Sequence, residues 1–220
     1  ARCAELTKAR EKGAKQLSER IRQELSEMGF LDIRFELPLT ALKEPGANGM
    51  DEAHFVVSLN PGEPLRPLSE VASGGELSRI MLSIKTVLAD SDEIPTLIFD
   101  EIDTGISGRT AEKVSEKLRK IAKLHQVILI THLPQIAAKA DQHFCIEKSV
   151  SDGHTHTRIH ALSEEDSVLE LARLLAGGQI TDAVLANARE LKNLAFALAQ
   201  VRKQADAKCL KYAQDYCKEP

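Results

Sequence analysis

Tryptophan is absent from this sequence, and aromatic residues together make up only 4% of it. Stacking platforms for single-stranded bases are therefore not expected. Cysteine is also scarce: Cys3, Cys145, Cys209 and Cys217 lie far apart, with no C-x-x-C pair among them. That spacing argues against a zinc ribbon or a disulfide framework and fits a reducing, cytoplasmic setting. No apolar run approaches a membrane span and no secretory leader is visible, so no membrane partner is expected. The phosphate-cradling loop G-x-x-x-x-G-K-[ST] is missing too, so by this reading the chain cannot hydrolyse a nucleotide alone. A strong excess of one charge is lacking as well. The formal net charge of -4 excludes a wholly basic nucleic-acid coat, though not a local basic patch.

What is present suits a globular protein. The 220 residues, 43% hydrophobic and 28% charged, suffice for one well-cored domain plus an appendage. Ala1 stands where an initiator Met would, as expected of a piece of something longer. Residues 2–28 carry Cys3, Leu6, Leu17, Ile21, Leu25 and Met28 at three- and four-residue steps, the pattern of an amphipathic helix that Gly29 stops. Its apolar seam is thin near Ala9, Gly13 and Ala14, which suits the end of a coiled-coil arm, although this stretch alone favours an ordinary amphipathic surface helix.

Ile33, Phe35 and Leu37, and then Phe55, Val57 and Leu59, alternate as half-buried strands, with Lys43–Met50 expected as a loop between them. Asn60–Glu63 is a turn. A helix is expected over about 76–90, a buried strand over Pro95–Asp100, a helix through Ala111, Val114, Leu118 and Ile121, and a second fully apolar strand over Val127–Ile130. Strand, helix and strand at this spacing form a right-handed parallel βαβ unit. A short helix from Pro134 follows, then a hairpin of Phe144–Ile146 with Thr155–Ile159. A helix over Val168–Leu175 is closed by Gly177 and Gly178. A long helical pattern covers Ile180–Ala207, and a polar tail follows it.

Two stretches about one helix apart carry the chemistry. Ser73, Gly74, Gly75 and Glu76 stand directly before a helical pattern, where backbone N–H groups and the helix dipole offer a seat for a phosphate. Thr96–Phe99 ends in Asp100 and Glu101, and acids at the C-terminal end of a strand are how open α/β sheets build sites for Mg2+ and an attacking water. A tight turn, Ile102-Asp103-Thr104-Gly105, then returns the chain across the site. His132 ends the next strand in sequence, opening on the same edge, where it could reach a γ-phosphate. His154, His156 and His160 alternate with Arg158 in a metal-like pattern, but no Cys or carboxylate accompanies them at ligand spacing, so an exposed polar hairpin face is expected.

Ser73–Ser78 (SGGELS) resembles the signature motif of ABC-type ATPases. Leu97–Glu101 (LIFDE) resembles their Walker B strand, Ile102–Gly105 (IDTG) their D-loop, and His132 their switch histidine. A coiled-coil helix ahead of these motifs narrows the resemblance to the SMC-like branch. The pair Asp100–Gly108 (DEIDTGISG) and Thr131–Ala137 (THLPQIA) narrows it further, to members acting in DNA double-strand break repair. Leu171–Leu175 with the glycine pair, and Ala186–Ala188, fit the same group.

The resemblance implies an α/β fold: the C-terminal lobe of an ABC/SMC-type P-loop ATPase head, a parallel sheet flanked by helices, with an N-terminal coiled-coil helix. It implies an arm end over 1–28, the head lobe over 29–192 and a helical, polar tail over 193–220. Two heads would sandwich ATP. Ser73, Gly74, Gly75 and Glu76 would then meet the γ-phosphate held by the opposite head. Asp100 would assist Mg2+, Glu101 would act as general base, Asp103 would contact across the interface and His132 would sense the γ-phosphate. Implied partners are the chain's own N-terminal lobe, a second copy through ATP-engaged heads, and DNA ends or paired duplexes. A non-catalytic dimerisation or DNA-clamping lobe, or another SMC-like chromosome-maintenance ATPase, stands as the alternative.

Overall fold

A computed structural model describes residues 2–30, 32–71, 73–151 and 154–195. They fall into two compact units, one running to Thr131 and the other starting at His132.

The first unit opens with helix α1 (Arg2–Glu27). Ile21 and Leu25, one turn apart, are fully buried, as the apolar stripe requires. The helix ends in a Schellman-type cap: Gly29 adopts φ 93°, its N–H donates to Ser26 O, and the Phe30 N–H reaches back to Leu25 O (3.3 Å). This cap turns Phe30 into the core. There Ile21, Leu25 and Phe30 pack with Ile33, Phe35 and Val57 of the following sheet and with Ile80 and Ile84 of α2. The C-terminal end of α1 is thus part of this unit's core.

Strands β1 (Arg34–Glu36), β4 (Val56–Ser58) and β5 (Arg66–Pro67) form an antiparallel sheet in the order β1-β4-β5. Between β1 and β4, the expected loop over Lys43–Met50 proves to be mostly strand. Strands β2 (Leu39–Gly46) and β3 (Gly49–Ala53) pair around a two-residue turn, with a register shift between Ala41 and Gly46. Pro45 is tolerated because the hairpin is an exposed two-stranded ribbon. Helix α1 secures it: Thr7 Oγ1 (2.7 Å) and Arg10 Nη1 (3.0 Å) both donate to the Asp51 carboxylate, and Arg10 Nη2 donates to Asn48 O.

Helix α2 (Gly74–Leu88) leads through a short 3-10 turn to β6 (Thr96–Phe99), and α3 (Gly108–Ile121) leads to β7 (Gln126–Leu129). The two strands pair in parallel, Leu97 beside Val127 and Ile98 beside Ile128. The βαβ unit is therefore as expected, but full burial of its strands is not. Leu97 and Phe99 are buried, while Ile98 is 71%, Ile128 46% and Ile130 51% exposed on the opposite face. Lys117 of α3 bridges Glu24 (2.5 Å) and Glu27 (2.6 Å) of α1.

The second unit holds the short helix α4 (Pro134–Ala137), the antiparallel hairpin β8 (Phe144–Ser151) and β9 (His154–Ala161), helix α5 (Glu164–Ala176) and a helix α6 described over 182–195. Its core gathers Ala137, Ala138, Leu171, Ala172 and Ala188. Ser163 caps α5, and Gly177 closes it at φ 58°. Of the helical pattern to Ala207 and the tail from 193, everything beyond 195 lies outside the described residues. Among the described residues no helix is long and apolar enough to cross a membrane.

The Lys117 bridge makes stability depend on pH. Its hydrogen bond holds the Glu27 carboxyl below the usual carboxylate range. A depressed folded-state value contributes stability above the unfolded value of about 4.3, and that contribution disappears as pH falls through the folded one. Urea midpoints of the chain and its Lys117→Met variant are therefore expected to differ at pH 7 and to converge below about pH 4. A difference that stays constant with pH would remove the bridge from the account.

Candidate functional site

The site is built where α2 begins. Ser73 is the N-cap: its backbone is extended and its Oγ accepts from the Glu76 N–H (3.4 Å), with Glu76 in the first turn, where the helix dipole favours an acid. Gly74 and Gly75 follow, and the space around Gly75 explains why it carries no side chain. A Cβ on Gly75 would lie 2.8 Å from Glu101 O, 2.9 Å from Thr104 Cβ and 3.0 Å from Thr104 O. A Cβ on Gly74 would run into Oε2 of Glu101. The first turn of α2 thus lies directly against the turn that follows β6.

That turn is unusual in its backbone. Glu101 adopts φ 55° without being glycine, a left-handed conformation that costs on the order of 1–3 kcal/mol. Asp100 Oδ1 accepts from the Glu101 N–H (2.8 Å), Thr104 N–H closes back on Glu101 O (3.0 Å), and Gly105 supplies a second positive φ of 75°. Two residues of α2 hold the turn from one side. Ser78 Oγ donates to Asp100 O (2.7 Å), and Arg79 Nη1 donates to Thr104 O (2.7 Å) and Ile102 O (3.3 Å). Gly75, Ser78 and Arg79 stand at positions i, i+3 and i+4, one face of the helix.

The acids are displayed very differently. Asp100 and Glu101 are exposed at the end of β6, and the Glu101 carboxylate lies over the first turn of α2. Asp103 is 3% exposed, beside fully buried Ile102, and its Oδ2 accepts from Thr131 Oγ1 (2.6 Å). Burial holds the Arg79 guanidinium below its ordinary pKa, partly offset by the charges of Glu76 and Asp103.

The structure therefore brings Ser73, Gly74, Gly75, Glu76, Asp100, Glu101 and Asp103 together in the first unit. His132 opens the second unit, and its sequence neighbour Thr131 is the residue bonded to Asp103. Asp103, for which a contact across a head–head interface is expected, accepts a hydrogen bond from Thr131 in this unit. His154, His156 and His160 all lie exposed along β9, and among the described residues no three His, Cys, Asp or Glu are grouped to hold a metal. Sequence reasoning missed Ser78, Arg79 and the hydroxyl of Thr131. The one available signal was a cationic residue four positions after a glycine, directly before the apolar Ile80 and Met81.

No family model matches the chain. It is 42% identical over 199 residues to the DNA repair protein RecN of Halalkalibacterium halodurans, covering 89% of this chain and 35% of that protein. It is 46% identical over 181 residues to the DNA repair protein RecN of Rickettsia felis, covering 82% of this chain and 33% of that protein. The chain thus spans about a third of the length of the curated relatives it matches. Among solved structures it is similar to the Smc head domain with a coiled coil and joint from Pyrococcus yayanosii, at 21% identity and a TM-score of 0.51. That match covers 74% of this chain and 29% of the other. The shared fold is that of an SMC head.

The two glycines predict different outcomes. An alanine at 75 meets backbone oxygens and is expected to destabilise the chain by about 1–3 kcal/mol. An alanine at 74 meets only the end of a flexible side chain, so improved helix propensity should keep the change within about 1 kcal/mol. Urea denaturation of Gly75→Ala and Gly74→Ala measures both, and equal losses would refute the close approach at Gly75.

Proposed function

We propose a role for this chain from one premise: along its matched residues it belongs to the RecN family of DNA repair proteins, and it carries the fold of an SMC head. In this reading it is one lobe of an ATPase head acting in DNA double-strand break repair, with an arm helix entering over 1–28. The observation that carries the reading is the union of α2's first turn with the acidic turn after β6, held by Gly75, Ser78 and Arg79. An anion seat and an exposed pair of acids are thereby fixed to one another.

Each side chain then has a task. Ser73, the Gly74 and Gly75 N–H groups and Glu76 form the end of α2 that meets the γ-phosphate of ATP bound by an opposing head. Asp100 offers an exposed carboxylate with one oxygen on the Glu101 N–H, a fit for a cation that takes its other ligands from water and phosphate. Mg2+ bound there would neutralise charge developing on the phosphates. Glu101 orients the attacking water and accepts its proton as the bond to the γ-phosphorus forms and ADP leaves. Asp103 reaches an opposing head once its bond to Thr131 opens, and His132 senses the γ-phosphate.

The phosphate-cradling loop is absent from this sequence, and the uncovered face of the parallel pair points to its source. Parallel strands are ordinarily covered on both faces, yet Ile98, Ile128 and Ile130 form an exposed apolar face. The N-terminal lobe, within the two thirds of the relatives' length not spanned here, covers this face and brings the loop. ATP then joins two such heads, and their engagement acts on DNA ends or paired duplexes.

The test is complementation. ATP hydrolysis is measured for this chain alone and with a separately made N-terminal part of a RecN protein. The chain alone should be silent and the mixture active. Ile98→Glu, at an exposed position, should leave the chain's melting unchanged and abolish the gain. Glu101→Gln should lower turnover by roughly 100-fold or more while nucleotide-dependent association of heads persists. Hydrolysis by the chain alone, or normal turnover by Glu101→Gln, overturns the assignment.

A further inference from the structure

Arg79 is an odd occupant of its place. It is 6% exposed on α2, among buried Ile80, Leu82 and Ile84, and a cation so deeply placed ordinarily pairs with a carboxylate. Its hydrogen bonds go elsewhere. Nη1 donates to two main-chain carbonyls, Ile102 O and Thr104 O, in the turn that follows Glu101. Its Nε is buried without a hydrogen-bond partner among the described residues. The guanidinium carbon lies over the Phe30 ring, 5.3 Å from its centroid, within the range of a cation–π contact. Phe30 is itself fixed by the cap that ends α1.

Those acceptors carry no charge and belong to no other element, so nothing in the pairing serves as an ordinary ion pair. Its effect is geometric. Carbonyls 102 and 104 flank Asp103, and the turn they belong to begins at Glu101, whose left-handed φ of 55° a non-glycine residue does not hold unaided. We propose that Arg79 is a positioning residue, which holds the Glu101 turn in its left-handed conformation through the carbonyls of Ile102 and Thr104, with the Phe30 ring facing the guanidinium. The proposal rests on the role given above to Glu101, since a base must be held to a defined direction. Lysine keeps the charge but replaces the rigid planar group that carries Nη1 to both carbonyls with a flexible stem and a point charge.

The experiment has two arms. In the active two-part assembly, Arg79→Lys and Arg79→Gln should lower kcat by roughly tenfold or more, while KM for ATP stays within about twofold, because the base and not nucleotide binding is disturbed. On this chain alone, hydrogen exchange is followed at the Thr104 and Ile106 amides, which bond to Glu101 O and Asp103 O. Both variants should raise exchange there by roughly tenfold and leave the Ile80 to Ile84 amides of α2 unchanged. Phe30→Leu keeps every donor and acceptor of the clamp and should raise exchange at the same two amides by about threefold. Wild-type exchange at Thr104 and Ile106 in Arg79→Lys or Phe30→Leu overturns the proposal. So does protection lost evenly through α2, which marks a merely structural arginine. If the assembly never hydrolyses ATP, the functional reading fails, while exchange at Thr104 and Ile106 still decides for or against Arg79.

Discussion

The grip of α2 on the backbone of residues 100–104 is the constraint on which the rest of this structure depends. It has three parts: a glycine that lets two backbones touch, a serine hydroxyl on Asp100 O, and an arginine on the carbonyls of Ile102 and Thr104. Because the three stand on one face of one helix, the start of α2 and the end of β6 cannot move independently. The neighbouring elements follow from this. Ile80 and Ile84 of the same helix face the core shared with Ile21, Leu25 and Phe30, so the core that seats α1 also sets the height of the site. Asp103, the far end of the turn, is anchored by Thr131 at the end of the β7 segment.

Much of this was legible from residue types because the signals are local. Ser before two glycines and a helical pattern specifies a capped helix start. An apolar run ending in Asp100 and Glu101 specifies a strand with acids at its end. What escaped depended on partners that leave no mark in sequence. Arg79 matters through two main-chain carbonyls more than twenty residues away, and every residue has a carbonyl. Lys43–Met50 contains Pro45, Gly46 and Gly49 and so looks like a loop, but Thr7 and Arg10 of α1 supply partners for Asp51 and Asn48 that make a ribbon tenable. Thr96–Phe99 is apolar throughout, and that pattern alone says both faces are to be covered, not by what.

The exposed isoleucines follow from the same distinction. Ile98 and Ile128 sit side by side in the parallel register, and Ile130 lies two residues along on the same face. Side chains in β-strands alternate, so the buried Leu97 and Phe99 necessarily place Ile98 on the other side. An isolated exposed isoleucine would need no explanation, since apolar atoms make up much of any protein surface. Three on one face of a parallel pair are different, because parallel strands are ordinarily covered on both faces and nothing among the described residues buries these.

The left-handed Glu101 shows which effect wins at the site. The strain is on the order of 1–3 kcal/mol. Against it stand the hydrogen bond from Ser78 to Asp100 O, those from Arg79 to two carbonyls, and the Glu101 N–H on Asp100 Oδ1. A neutral hydrogen bond contributes about 0.5–1.5 kcal/mol net, and one made by a charged group about 1.5–3. The favourable sum exceeds the strain even at the low end of those ranges, so the turn is held. Removing the charged donor leaves roughly 2–4.5 kcal/mol against that strain, so the turn is no longer held over the whole of both ranges. A turn poised that way gives the direction of the Glu101 side chain to α2, and so to whatever moves that helix.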